Sequence, residues 1–207
     1  NGQIKMIRDA AFSLKDAARE KRESIAQRLD KAMAIMAEDP EAHFILWHDL
    51  EAERHAIEKN IPDATAVYGT QDYDERERRV IAFSEGQSRI LATKKEICGS
   101  GCNFQRHCHR EIFMGIDYEF NDFIQAVHRI YRFLQQNPVI IDILYMDTES
   151  EVLLTLQRKW RQYDELSAQM EEIIKTYGLG SLALEALKRT IGCERVEVTG
   201  KNYTAIN

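Results

Sequence analysis

The chain has 207 residues, 44% hydrophobic and 30% charged, which fits a folded domain with an appendage and excludes a disordered polyelectrolyte. Its formal net charge is −6, so bulk charge does not advertise nucleic-acid binding and any phosphate contact must come from a local basic edge. No apolar run approaches the roughly 20 residues that a bilayer span needs, so no membrane partner is expected.

Residues 15–38 are expected to form a helix, because Ile25, Leu29, Ala32, Met33 and Met36 recur at helical spacing and Asp39-Pro40 stops it. A β–α alternation follows, with strands expected at 43–47, 64–68, 89–93, 111–115 and 138–145 and helices at 50–59, 73–85 and 120–133. Such alternation implies an α/β fold, a mainly parallel sheet with helices on both faces. Val139-Ile140-Ile141 is apolar on successive residues, as suits a strand covered on both sides. From Ser150 onward, Val152, Leu153, Leu156, Trp160, Tyr163, Leu166, Met170 and Ile173 step by three and four, the seam of a long helix packed against another. A second helix is expected at 182–191, then a strand-prone tail. The expected division is a helical extension over 1–40, an α/β lobe over 41–149, a helical brace over 150–192 and a tail over 193–207 leading into a further module.

The four cysteines do not make a disulfide framework in a chain of this size. Cys98, Cys102 and Cys108 sit near His107 and His109, but their spacing fits no usual pair of zinc knuckles, so no metal site is expected. Reduced thiols and a cytoplasmic location follow as expectations. The chain begins without methionine or a signal-peptide pattern and reads as a piece of a longer protein.

The segment DFIQAVHRIYRF, 122–133, places Gln125, Arg129 and Arg132 at spacings of four and three, which is one face of a helix. Two planar guanidiniums that stay charged at any working pH, led by an amide, suit the terminal phosphate of a nucleotide. A solvated helix face carrying two arginines gives the same pattern. Ahead of it, SRILATKKEICGSGCNFQ, 88–105, runs a short apolar strand into Thr93-Lys94-Lys95 and then Gly99-Ser100-Gly101. A strand followed by a glycine turn is how α/β proteins build a ligand edge at the carboxyl end of a sheet. Arg76, Arg78, Arg79, Arg89, Lys94, Lys95, Arg106 and Arg110 crowd this central part and offer a local basic edge.

In that order the segments resemble the second RecA-like lobe of superfamily 2 DNA helicases and translocases, in the Swi/Snf-like or phage-type branch. HFILWHDLEAE (43–53) resembles motif IV, and YGTQDYDERERRVIAFSEGQSRILAT (68–93) resembles the glycine-plus-hydroxyl turn, helix and strand before motif V. TKKEICGSGCNFQ (93–105) resembles motif V and QAVHRIYRFLQ (125–135) motif VI, so the likeness spans residues 42–160. Two positions depart from the pattern: His128 stands where the wider superfamily often has glycine, and Lys95, Glu96 and Ile97 lengthen motif V.

The chain has no Gly-x-x-x-x-Gly-Lys-Ser/Thr segment and no strand ending in an Asp-Glu pair, so it lacks the residues that cradle nucleotide phosphates and hold magnesium. The resemblance implies that ATP and Mg2+ are held mostly by an N-terminal RecA-like lobe of the same protein. It implies that Arg129 and Arg132 are catalytic arginine fingers, and that Gln125 and Gly101 border the ATP cleft with them. It implies DNA backbone contacts from Thr93, Lys94, Gly69, Thr70 and His48. The bland alternatives are a strand-end hydroxyl for Thr93, a locally bonded imidazole for His48 and solvated loop ammoniums for Lys94 and Lys95. The ending VTGKNYTAIN resembles the lead-in to a fused DNA methyltransferase. A RecA-like lobe kept only for binding nucleic acid or protein is the competing reading. A free-standing nucleotide-binding enzyme conflicts with the missing phosphate loop.

Overall fold

A computed structural model describes residues 19, 22–98, 102–132, 134–177 and 201–206. The strands are β1 (His43–Trp47), β2 (Ala64–Val67), β3 (Ile90–Thr93), β4 (Cys108–Phe113), β5 (Ile140–Met146) and β6 (Lys201–Ile206). The helices are α1 (Ile25–Glu38), α2 (Glu51–Asn60), α3 (Tyr73–Ser84), α4 (Phe120–Val127) and α5 (Ser150–Tyr177). The strands form one parallel sheet in the order β2-β3-β1-β4-β5-β6. The strand-prone tail thus supplies the edge strand β6, pairing Tyr203 with Ile143 of β5.

Side chains alternate across this sheet, and both faces are buried, which is why the strands read as continuous apolar runs. Ile45, Trp47, Leu91, Phe113, Ile141 and Ile143 point to one face, where Phe83 of α3, Phe123 and Val127 of α4, and Leu153, Leu156 and Trp160 of α5 cover them. Phe44, Leu46, Ile90, Ala92, Ile112 and Leu144 point to the other, under Leu29, Ala32 and Met36 of α1 and Ile57 of α2. The expected α/β fold, a parallel sheet with helices on both faces, is therefore present.

Arg28 fastens α1 to the carboxyl ends of β4 and β5. Its side chain is 0% exposed, and Nη1 donates to the carbonyls of Met114 at 3.1 Å and Leu144 at 2.9 Å. Nε donates to Ser24 Oγ at 2.8 Å and Nη2 to Glu149 at 2.7 Å. A buried cation is tolerated because every nitrogen has an acceptor and one acceptor carries the opposite charge.

Several expected elements are redrawn. The helix expected over 120–133 stops at Val127. After His128, whose N–H still reaches Ile124 O, the chain tightens: Arg129 N–H donates to Ala126 O at 2.9 Å and Arg132 N–H to Ile130 O at 3.1 Å. Such short-range bonds close turns and rotate side chains off the helical face. Leu134 then takes a left-handed φ of 72°. The strand expected at 111–115 begins earlier, at Cys108, and ends at Phe113. The seam of α5 packs over its first half alone: Leu153, Leu156 and Trp160 are buried, whereas Leu166 is 65% and Met170 50% exposed. The expected helix at 182–191 lies outside the described residues, as does the side chain of Ile173.

Candidate functional site

The loops that leave the carboxyl ends of β1, β3 and β4 are stitched by one cation. The Lys95 side chain is 5% exposed, and its ammonium lies 3.2 Å from Asp49 after β1 and pairs closely with Asp117 after β4. Burial works against this charge, but the two carboxylates outweigh it and raise the Lys95 pKa. Lys95 is thus no solvated loop ammonium. Asp117 also accepts from the N–H of Glu119 at 2.9 Å, immediately before α4, so the same carboxylate anchors the element leading to the arginines.

The turns after α4 correct the expectation that Gln125, Arg129 and Arg132 share a helix face. Gln125 stays on α4 and is exposed; Arg129 and Arg132 lie beyond its end, half-buried. They instead meet the segment that follows β3. Arg132 Nη1 donates to the carbonyl of Cys102 at 3.2 Å. Arg129 acts on the thiols of Cys98 and Cys102; burial pushes the Cys98 thiol up to about 11, and the hydrogen bond to Thr93 and the Arg129 charge pull against it. Cys98 Sγ lies 3.6 Å from Thr93 Oγ1. The end of β3, the cysteine loop and the two arginines are therefore one neighbourhood. Gly101 lies outside the described residues.

Among the described residues neither Arg129 nor Arg132 makes an ion pair. In the basic edge Arg76, Arg89 and Arg106 likewise make none among the described residues, whereas the others do. Arg78 and Arg79 pair with Glu75, Lys94 with Glu51 at 2.9 Å, and Arg110 with Asp39 and Asp142 at 3.4 and 3.5 Å. The basic edge expected from the sequence is largely neutralised.

Of the residues expected to touch nucleic acid, Gly69 and Thr70 are exposed in the turn after β2, and Lys94 is half-exposed. Val67 sits opposite Thr93 in the sheet, so that turn and the end of β3 share one edge. Thr93 is 0% exposed. His48 is 1% exposed and neither ring nitrogen has a hydrogen-bond partner. Burial first, then the Lys94 charge, lower the His48 pKa to about 4, so the ring is neutral at working pH. Neither side chain presents itself to a ligand in this arrangement.

The sequence reading passed over Glu111. It lies mid-strand in β4, 0% exposed, and accepts from Trp47 Nε1 at 2.8 Å. The signal was a carboxylate between Arg110 and the apolar pair Ile112-Phe113 of a buried strand. Among the described residues no group of three or more His, Cys, Asp or Glu is placed to hold a metal ion, and no helix is long and apolar enough to cross a membrane.

No protein-family model and no curated protein sequence matches the chain. Solved structures do match in fold. The C-terminal domain of the DEAD-box protein Dbp5 aligns with TM-score 0.55 at 15% identity, covering 65% of this chain and 79% of that one. The C-terminal part of the Fun30 ATPase domain aligns with TM-score 0.50 at 17% identity, covering 62% of this chain and 44% of that one. Dbp5 of S. cerevisiae bound to RNA and ADP BeF3 aligns with TM-score 0.53 at 16% identity, covering 65% of this chain and 36% of that one. The chain has the fold of helicase C-terminal RecA-like lobes.

Proposed function

We propose that this chain is the C-terminal motor lobe of an ATP-dependent DNA helicase or translocase and completes a site shared with an N-terminal RecA-like lobe. One observation carries the reading. Arg129 and Arg132 converge on the loop after β3 with no carboxylate partner among the described residues, while the other arginines and lysines of the basic edge are mostly paired. Two guanidiniums with no carboxylate partner among the described residues, held against the segment after β3, suit an anionic ligand, and a terminal phosphate matches their fork geometry. Mg2+ fits this lobe poorly, since Asp49 and Asp117 are already committed to Lys95. Its ligands belong to the other lobe.

ATP, when bound, supplies the phosphoryl group whose hydrolysis drives lobe closure and opening. Arg132 reaches the terminal phosphate and stabilises the charge that develops on it. Arg129 stands behind it. Gln125, exposed on α4, hydrogen-bonds across the cleft, and Gly101 borders it. Gly69, Thr70 and Lys94 contact backbone phosphates of the tracked strand, which positions the strand without reading sequence. Thr93 and His48 shape the same edge from below. DNA is the strand that the likeness to the Swi/Snf-like branch favours; an RNA-tracking motor is the second reading, supported by the neighbour solved with RNA.

The test is Arg132→Ala in the two-lobed protein. ATP hydrolysis should fall by on the order of 10³ while the unfolding midpoint of the lobe holds. Unaltered hydrolysis would return the lobe to a binding module.

A further inference from the structure

The two residues that immediately precede the arginines carry rings, and the rings meet. His128 and Tyr131 lie with ring centroids 6.2 Å apart and planes inclined by 34°. Tyr163 of α5 closes on His128 from outside the turns, at 5.8 Å and 55°. The same Tyr163 ring meets Phe120 edge-on at 6.2 Å. One side chain of α5 therefore grips both ends of α4, at its first residue and at the residue that caps it. The second grip falls where the helix gives way to the turns that carry Arg129 and Arg132. Tyr163 also marks the limit of the cover that α5 provides. Trp160, one turn before it, is 6% exposed and packs on Phe123 at 5.2 Å, whereas Leu166, one turn after it, is 65% exposed.

Short-range turn bonds have poorer geometry than those of a regular helix, so packing has more say in where such turns point. Ring contacts prefer tilted and edge-on arrangements, so they fix direction as well as distance. Ile130, 0% exposed, anchors the turns in the core, and the His128, Tyr131 and Tyr163 rings lie beside that anchor. Burial first, then the charges of Arg132 and Arg129, lower the His128 pKa. The central ring is therefore neutral at working pH and packs as an aromatic, with no third positive charge beside the arginines. We propose that Tyr163 is a positioning residue for the arginine pair: seated on His128, it holds the turns after α4 so that Arg132 stands where a terminal phosphate arrives. The proposal rests on the phosphate reading of Arg132. Glycine or alanine at position 128 would leave Tyr163 no ring to close on.

The test is ATP hydrolysis by the two-lobed protein carrying Tyr163→Ala, Tyr163→Phe, Arg132→Ala, or Tyr163→Ala with Arg132→Ala. Misplacing a group at the reacting centre by about 1 Å costs on the order of 10² in rate. Tyr163→Ala is expected to lower kcat by about that factor and to leave KM for ATP within about twofold, because the arginine acts on charge that develops in the transition state. Tyr163→Phe keeps the ring and is expected to restore most of the rate. In the Arg132→Ala background, loss of Tyr163 should cost nothing further, since the group it positions is gone. An unchanged kcat in Tyr163→Ala overturns the proposal. So does an equal loss in both backgrounds, which would mark a general loosening of the lobe. Should Tyr163→Ala fail to fold, His128→Ala opens the same contact from the other side and must satisfy the same cycle. If Arg132→Ala alone leaves hydrolysis intact, the phosphate reading falls. The seating is then read from the Arg132 Nε–Hε signal of the 15N-labelled protein, assigned by its loss in Arg132→Lys. Tyr163→Ala must displace that signal, and an unmoved signal overturns the seating as well.

Discussion

Arg132 Nη1 donates to the backbone carbonyl of Cys102 at 3.2 Å, which ties the segment after α4 to the segment after β3. The bond uses one of five donors in the guanidinium, and among the described residues the rest of the fork makes no other bond. Arg132→Lys keeps the charge and loses the fork. Hydrolysis in the two-lobed protein is expected to drop by on the order of 10², less than for Arg132→Ala. Single-turnover rates measure it, and full activity in the lysine variant would mean that charge alone suffices.

Arg28 predicts a stability effect far from the site. Replacing it with methionine removes hydrogen bonds to Ser24, Met114, Leu144 and Glu149 together. The expected loss is about 3–5 kcal/mol, as for breaking a buried charge pair. Urea unfolding of the isolated chain measures it. A change below about 1 kcal/mol would mean that α1 docks by its apolar stripe alone.

Lys95 gives a paired prediction. Lys95→Met leaves Asp49 and Asp117 facing one another across the vacated ammonium and should cost about 3 kcal/mol. Adding Asp117→Asn removes one of the stranded charges and should recover part of that loss. A double variant no more stable than the single one would contradict the stitching role.

His48 makes the stability pH-dependent. Its folded pKa is lowered to about 4 against 6.5 for an ordinary imidazole, so the unfolded chain takes up a proton at a higher pH than the folded one. The contribution is complete above pH 6.5 and is lost as pH falls toward 4. The expected loss between about pH 7.5 and about pH 5 is about 2 kcal/mol. His48→Leu should flatten that slope and gain most at the acid end, which denaturant midpoints at both pH values resolve.

The sheet was legible in the sequence because strands buried on both faces must be apolar throughout, and β1, β2, β3 and β5 fall within two residues of expectation. The end of α4 was not. The four-and-three spacing of Gln125, Arg129 and Arg132 is indifferent to whether the chain continues as a helix or tightens into turns, and the bonds to Ala126 and Ile130 that decide it leave no mark on composition. Lys95 and Glu111 were misread or missed for a related reason. A charged residue looks solvated until the partners that permit its burial are known, and those partners, Asp49, Asp117 and Trp47, are distant in sequence. The resemblance to motifs IV and V put His48 and Thr93 among the ligand contacts; only the fold shows both side chains buried.

The central claim is that this lobe completes a split ATP site. The most direct measurement is ATP hydrolysis by the two-lobed protein and by this chain alone, each with no nucleic acid, single-stranded DNA, duplex DNA and RNA. The account predicts hydrolysis stimulated by DNA in the two-lobed protein and none in the isolated chain. Hydrolysis by the isolated chain, or none by the two-lobed protein on any strand, would contradict it.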